Sequence, residues 1–222
     1  MQINRRLIGA GKKVMILILS LPKSAYFNFR YLKVSQAVKF PILLHWHSRV
    51  WGNGRIDLDK VRFGIIKLGF GDPDFPHQKF TFCNTGHVHF LGSAVISAGC
   101  ELVIRGNLSV GDHFSCSGGS KIDAKSDSSF GNDVLIGHKC VFIDDDGHVI
   151  MIDGKQINEK KGYHIGNHVW FGRECLILKG TKTGDDIVFG ARSTISGNIQ
   201  NSNTIMVGSP VKAVKQNIEW QY

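Results

Sequence analysis

The chain has 222 residues, is 42% hydrophobic, and carries 27 lysines and arginines against 18 acidic residues, a formal net charge of +9. That apolar share excludes a disordered chain. The excess of positive charge points to an anionic partner: a nucleotide-type cofactor, a phosphorylated substrate, a membrane surface or nucleic acid. The five cysteines (Cys83, Cys100, Cys116, Cys140 and Cys175) are scattered and form no CxxC pair. This argues against a disulfide framework or zinc knuckle and for a reducing, cytoplasmic compartment.

Residues 1–50 contain no repeat. They mix basic residues (Arg5, Arg6, Lys12, Lys13, Lys23, Arg30, Lys33, Lys39) with aromatics (Tyr26, Phe27, Phe29, Tyr31). The apolar run Val14 to Leu21 is about half of what a bilayer crossing needs, and no secretory cleavage site accompanies it. A buried or interfacial helix is expected. The region suits a cap over the first coil of the repeat that follows, the preferred reading, and also a basic, aromatic face against an anionic membrane. Single-stranded nucleic acid attracts similar residues. Nothing resembling a nucleic-acid module stands beside them, so no nucleic-acid partner is expected.

A period of six begins weakly near Leu91 and is clear from Val110: VGDHFS, CSGGSK, IDAKSD, then, after a two-residue shift, FGNDVL and IGHKCV. From Ile165 it runs without a slip through IGNHVW, FGRECL, ILKGTK, TGDDIV, FGARST and ISGNIQ. An apolar residue opens most blocks and a glycine often follows. This predicts a triangular solenoid in which the first residue fills the interior, the glycine turns the corner, and three blocks close each coil. Stacked coils then supply the core that no single coil can bury. A sandwich would instead alternate with period two and turn every 8–12 residues or so.

The period breaks after Phe142. The stretch IDDDGHVIMIDGKQINEKKGYH is polar, charged and too long for a corner, so it must leave the coil as a loop over residues 143–164. Long excursions from a rigid scaffold commonly carry function. At its root stand Asp144, Asp145, Asp146 and His148. In extended backbone Asp144, Asp146 and His148 share one side and Asp145 faces the other. A solvated acidic turn is the alternative. A calcium loop is disfavoured, because the spacing lacks the EF-hand order and the net charge is positive.

The phrase IGNHVWFGRECLILKGTKTGDDIVFGARSTISGNI…MVGSPVKAV resembles hexapeptide-repeat acetyltransferases over about residues 90–216. YFNFR, AVKFPILL and the D-x-D-x-H motif Asp144, Asp146, His148 are similar to bacterial O-acetyltransferases of capsule, exopolysaccharide or lipopolysaccharide assembly. The resemblance implies a left-handed parallel β-helix and a homotrimer with its active site between adjacent solenoids. It implies acetyl-CoA as cosubstrate, no metal, and a sugar or oligosaccharide acceptor, lipid-linked if the protein works at the membrane. His148 would be the general base, with Asp146 or Asp144 orienting its ring as in a Ser-His-Asp triad. Trp170 would lie near the cofactor arm, and Arg173, Ala191, Ser196, Lys212 and Lys215 would be the cofactor contacts. Arg173 departs from the small residue common after WIG, and Arg192 from the glycine of GAGS.

The implied organisation is a cap over residues 1–50, a β-helix over 51–216 and a tail over 217–222. The rival enzyme is a γ-class carbonic anhydrase, which shares this solenoid and binds zinc through three histidines. His138 in IGHKCVFI fits its pattern, but Ile143 stands where its second histidine belongs. His87 with His89 and His164 with His168 have ligand-like spacing. A transferase acting on a small-molecule acceptor and a catalytically idle scaffold remain as further alternatives.

Overall fold

The structure, a computed structural model, describes residues 2–75 and 77–221 of the chain; the side chains of residues 2–10 and 12, among them Arg5, Arg6 and Lys12, lie outside the described residues. From Ile42 onward the chain winds as the expected left-handed parallel β-helix. Its first coil consists of β1 (Ile42–Leu44), β2 (Arg49–Trp51) and β3 (Arg55–Leu58), and each of these strands starts one face of a triangular prism. The faces carry nine, seven and seven strands. The coils therefore begin before residue 51, and at the amino-terminal end the stretch ahead of Ile42 is outside the helix.

Coil length explains the shift in the repeat. Ala94 pairs with Phe114, a spacing of 20 residues, whereas Phe171 pairs with Phe189, a spacing of 18. The middle coils thus hold two residues more than the three blocks of six expected, the first coil, in which Ile42 pairs with Ile66, holds six more, and the register settles only in the carboxy-terminal half. Inside the prism Phe114, Phe130, Phe142, Phe171 and Phe189 form a continuous column, with consecutive ring centroids 5.0–5.2 Å apart. These spacings suit aromatic packing.

The two ends are closed differently. Helix α1 (Gln2–Tyr31) is followed by the short α2 (Val34–Ala37). On α1, Ser20, Ser24 and Asn28 recur every fourth residue and face the free edge of β1. Ser24 Oγ accepts the Leu44 amide at 2.9 Å, and Asn28 brackets Ile42 by accepting its amide and donating to its carbonyl. A row of three polar side chains thus completes the hydrogen bonding that an open strand edge would lack. Lys23 donates to the Trp46 and Ser48 carbonyls and Arg30 to the Gly52 carbonyl, so two of the basic residues tie the helix down. Val14, Met15, Ile18 and Leu19 remain exposed. At the other end the strand Thr204–Gly208 turns back as an antiparallel hairpin with Val211–Gln216.

Two excursions leave the coils. One, over residues 71–80, departs at the corner between the first and second faces. The other, over residues 143–163, departs at the corner between the second and third faces and carries a small hairpin, Met151–Ile152 against Lys155–Gln156.

Candidate functional site

The root of the longer excursion is buried on both strands. Asp144 continues the inward alternation of Phe142 and is fully buried. Its Oδ2 accepts the amides of Lys125 at 2.7 Å and Ser126 at 2.6 Å, and its carbonyl accepts the Lys161 amide. Burial pushes its carboxyl above the usual value, and the two amides only partly offset that. Tyr163, also fully buried, closes the excursion by donating from its hydroxyl to the Asp123 carbonyl at 3.1 Å.

Beyond the root the chain turns outward at Gly147, with φ +81°. Asp146 pairs with Lys179 and accepts from Asn158, and these two hold its carboxyl below the usual value. The Gly147 amide and then Lys125 do the same for Asp145. Asn158 clasps the inside of the loop, donating to the His148 carbonyl at 2.6 Å and accepting the Ile150 amide at 2.7 Å. His148 itself is exposed.

The expectation that Asp144 or Asp146 orients the His148 ring is not met within the folded chain. Asp144 turns into the core to hold backbone amides, and Asp146 is held by Lys179 and Asn158. The shared side predicted for an extended DDDGH is lost: Asp144 is buried while Asp146 is exposed, and Gly147 then bends the chain before His148.

The other predicted residues fall into two groups. Trp170, Val188, Ile205 and Lys215 are successive partners on the first face. Irregular pairing between Ile205 and Met206 matches Lys212 to Val207 and Lys215 to Ile205, so both lysines lie on the side of Trp170. At the corner between the first and second faces, Gly118, His138, Arg173 and Ala191 follow two residues after the paired positions Cys116, Ile136, Phe171 and Phe189 and form one column. Arg173 is engaged by Asp74 at 3.2 Å, and Arg192 by Glu174 at 2.7 Å. Ser196 is not brought to either group within one chain; it lies at the corner between the second and third faces.

Two constellations carry no sequence prediction. Trp220 from the tail stacks on His168 with centroids 3.9 Å apart, and His168 also meets Asp186 at 2.7 Å. Trp170 lies 5.9 Å from the same tryptophan. In the second, Asp72 reaches His138 Nε2 at 3.0 Å with Asp74 at 3.8 Å. Asp72, Asp74 and His138 are close enough to share a cation, but the Gly118 amide, the His138 ring and Arg173 already occupy the two carboxylates. Among the remaining histidines, His87 pairs with Asp57, His89 with Asp59 and His164 with Ser129. The Asp-Pro-Asp of residues 72–74 was the available signal for the second constellation, but nothing in the linear chain ties it to a histidine in a coil so far downstream.

No family model matches the chain. It is 33% identical over 123 residues to the polysialic acid O-acetyltransferase of Neisseria meningitidis, a match covering 54% of this chain and 55% of that protein. The chain thus spans about half the length of that relative. It is 26% identical to the protein of Escherichia coli K12 named as a lipopolysaccharide biosynthesis O-acetyl transferase, WbbJ, covering 58% of this chain and 82% of that one. The crystal structure of the polySia-specific acetyltransferase NeuO superposes with a TM-score of 0.62 at 21% identity, covering 82% of this chain and 79% of NeuO. In sequence the chain is similar to polysialic acid and lipopolysaccharide O-acetyltransferases, and in fold to NeuO.

Proposed function

We propose that the protein transfers acetyl from acetyl-CoA to a hydroxyl of a sugar in a bacterial surface polysaccharide. The observation that carries this reading is the longer excursion: a rigidly rooted loop that leaves the coil and presents an exposed histidine immediately beyond its buried anchor. Relatives that are named for sugar O-acetylation support it.

His148 takes the proton from the acceptor hydroxyl as that oxygen attacks the thioester carbon. The cofactor runs beside Trp170, with Arg173 and Ala191 at the neighbouring corner and Lys212 and Lys215 toward its phosphates. Ser196 reaches it only from another copy. The working unit is a homotrimer with the site between adjacent solenoids. The outer loop suits that assembly: Val149, Ile150, Met151, Ile152 and Ile157 are all at least 50% exposed, more apolar surface than a short loop leaves in water without a partner. The protein works in the cytoplasm at the inner face of the membrane. There the exposed apolar strip of α1, with Lys13 beside it, meets anionic lipid. Among the described residues, no helix is long and apolar enough to cross a membrane.

The test is thiol release from acetyl-CoA by wild type and His148→Ala against oligosialic acid and a panel of surface oligosaccharides. Wild-type activity that falls by about 10²–10⁴-fold in the variant, with acetyl-CoA binding retained, is expected of a general base. Activity that survives the substitution would return the DDDGH stretch to a solvated turn.

A further inference from the structure

His138 is held by a buried acid and an aromatic ring. Asp72, its partner, has a side chain only 6% exposed. That carboxylate is itself fixed by the Gly118 amide at 2.7 Å and the Asp74 amide at 3.1 Å. Burial pushes the Asp72 carboxyl up, but these amides and the imidazole outweigh it and hold it below the usual value. Phe75 lies flat on the ring, 5.7 Å between centroids and 21° between planes. Behind Phe75 is a floor of glycine: a Cβ on Gly118 or Gly119 would come within 2.4 and 2.8 Å of its ring. A buried acid, an aromatic lid and a glycine floor therefore fix one face and one nitrogen of the imidazole. Nε2 points at Asp72, and among the described residues Nδ1 has no hydrogen-bond partner. The same division of labour between ring nitrogens lets an acid–imidazole pair move protons.

The position has chemical meaning too. His138 stands one coil above Arg173 and two above Ala191 in the corner column, roughly 5 Å per step. If the cofactor follows that corner, as the acetyltransferase reading has it, the next rung is where its reactive end arrives. His138 and the excursion bearing His148 belong to the same coil, since the chain passes from the corner at His138 through the strand Val141–Phe142 into the loop. Rotation about an axis parallel to the prism, as in a trimer, keeps that height. The His148 loop of one copy and the His138 corner of the next can then meet on opposite sides of one thioester.

We propose that His138, positioned by Asp72, is a second catalytic histidine, which gives a proton to the sulfur leaving group. The step rests on the acetyltransferase reading and balances as follows. The acceptor oxygen loses its proton to His148 and forms a C–O bond to the thioester carbon. The tetrahedral intermediate collapses and the C–S bond breaks. The departing sulfur takes the Nδ1 proton of the doubly protonated His138 ring, which is left neutral with its Nε2–H on Asp72. Solvent then returns a proton to His138 and removes one from His148. Asp72 is a positioning residue. The other titratable or charged groups around the ring are Asp74 from the same excursion, Lys139 and Cys140 beside it, and Arg173 and Glu174 from the next coil.

A base and an acid on one reaction give a bell-shaped pH dependence, with the base on the acidic limb and the acid on the basic limb. The experiment measures kcat against pH for the full chain, following thiol release from acetyl-CoA with oligosialic acid and, in parallel, with water as acceptor. His138→Ala and His138→Gln should lose about 100-fold in kcat or more and should lose the basic limb, while acetyl-CoA binding stays within about threefold of wild type. His148→Ala should lose the acidic limb instead. Asp72→Asn keeps an acceptor for the Gly118 amide but removes the carboxylate that faces Nε2, so its kcat should fall about tenfold or more while its KM for acetyl-CoA stays near wild type. A purely structural contact would leave kcat in place. Thermal melts of the three variants separate misfolding from chemistry, and if both His138 variants melt early the kcat of Asp72→Asn decides between the two roles. Turnover by His138→Gln within about threefold of wild type, or an unchanged kcat in Asp72→Asn, overturns the proposal alone. Failure of the wild type to bind acetyl-CoA overturns it together with the transferase reading.

Discussion

The two excursions use opposite strategies. The shorter, residues 71–80, folds back on its own coil: Phe75 is buried, Asp72 is buried, and the segment ends by holding a histidine that belongs to the scaffold. The longer, residues 143–163, buries its two roots, Asp144 and Tyr163, and the clasping Asn158, and turns its apolar residues and its histidine outward. In the first the loop serves the coil, and in the second the coil serves the loop. A loop that finds its partners within the chain is complete in one copy. A loop that exposes Val149, Ile150 and Met151 while its root is locked is built to meet another surface.

The sharpest way to break this contrast is Phe75→Ala. Emptying a buried aromatic site costs about 3 kcal/mol or more, because glycine backbone cannot close the gap. Denaturant unfolding should show that loss. His138 should also become mobile, seen as averaging of its ring resonances. A loss well under 1 kcal/mol would mean that the shorter excursion is not clamped as described.

Asn158→Ala makes the corresponding cut in the longer excursion and should behave differently. Asn158 is 8% exposed and joins three points of the loop through its amide. Removing it should cost on the order of 1–2 kcal/mol, spent on local opening rather than global unfolding. Amide hydrogen exchange should accelerate across residues 146–158 while the coils stay protected. Acceleration that spreads into the coils would make this loop part of the scaffold and erase the contrast.

The contrast also marks what the sequence could tell. The coils were legible because each interior position repeats a local requirement, an apolar residue followed by a tight corner, and Phe130, Ile136, Phe142, Ile165 and Phe171 are all buried as the period demands. The longer excursion was legible as a failure of that period. The extra two residues per coil before Phe130 showed only as a shift, since a longer corner disturbs no apolar position. The shorter excursion was not legible, because it falls where the repeat is too weak for a break to be seen. Its partner His138 is 66 residues away in sequence, and the contact exists only once the intervening coils are stacked. DDDGH misled in a different way. Strand alternation placed three side chains together, but a left-handed glycine and a buried carboxylate acceptor separated them.

Asp144→Asn gives the smallest effect and the most specific one. The Asp144 carboxyl is pushed up from an ordinary value of 3.8, first by burial, with the Ser126 and Lys125 amides opposing. One of its oxygens, Oδ1, is buried without a partner. A carboxyl whose folded value lies above its unfolded value contributes fully below the unfolded value and loses that contribution as pH rises through the folded one. Asparagine retains an oxygen for the two amides and cannot ionise. The stability of wild type minus that of Asp144→Asn should therefore decline as pH rises from below the ordinary carboxylate value through the raised folded one, and level off above it. Asp72, Asp145 and Asp146 are held below their ordinary values and pull the other way, but they are common to both proteins and cancel in the difference. A difference that grows with pH would mean that the two amides favour the charged form more than burial opposes it. Asp144 would then be an ionised clamp, and the root of the longer excursion would be held as tightly as the floor of the shorter one.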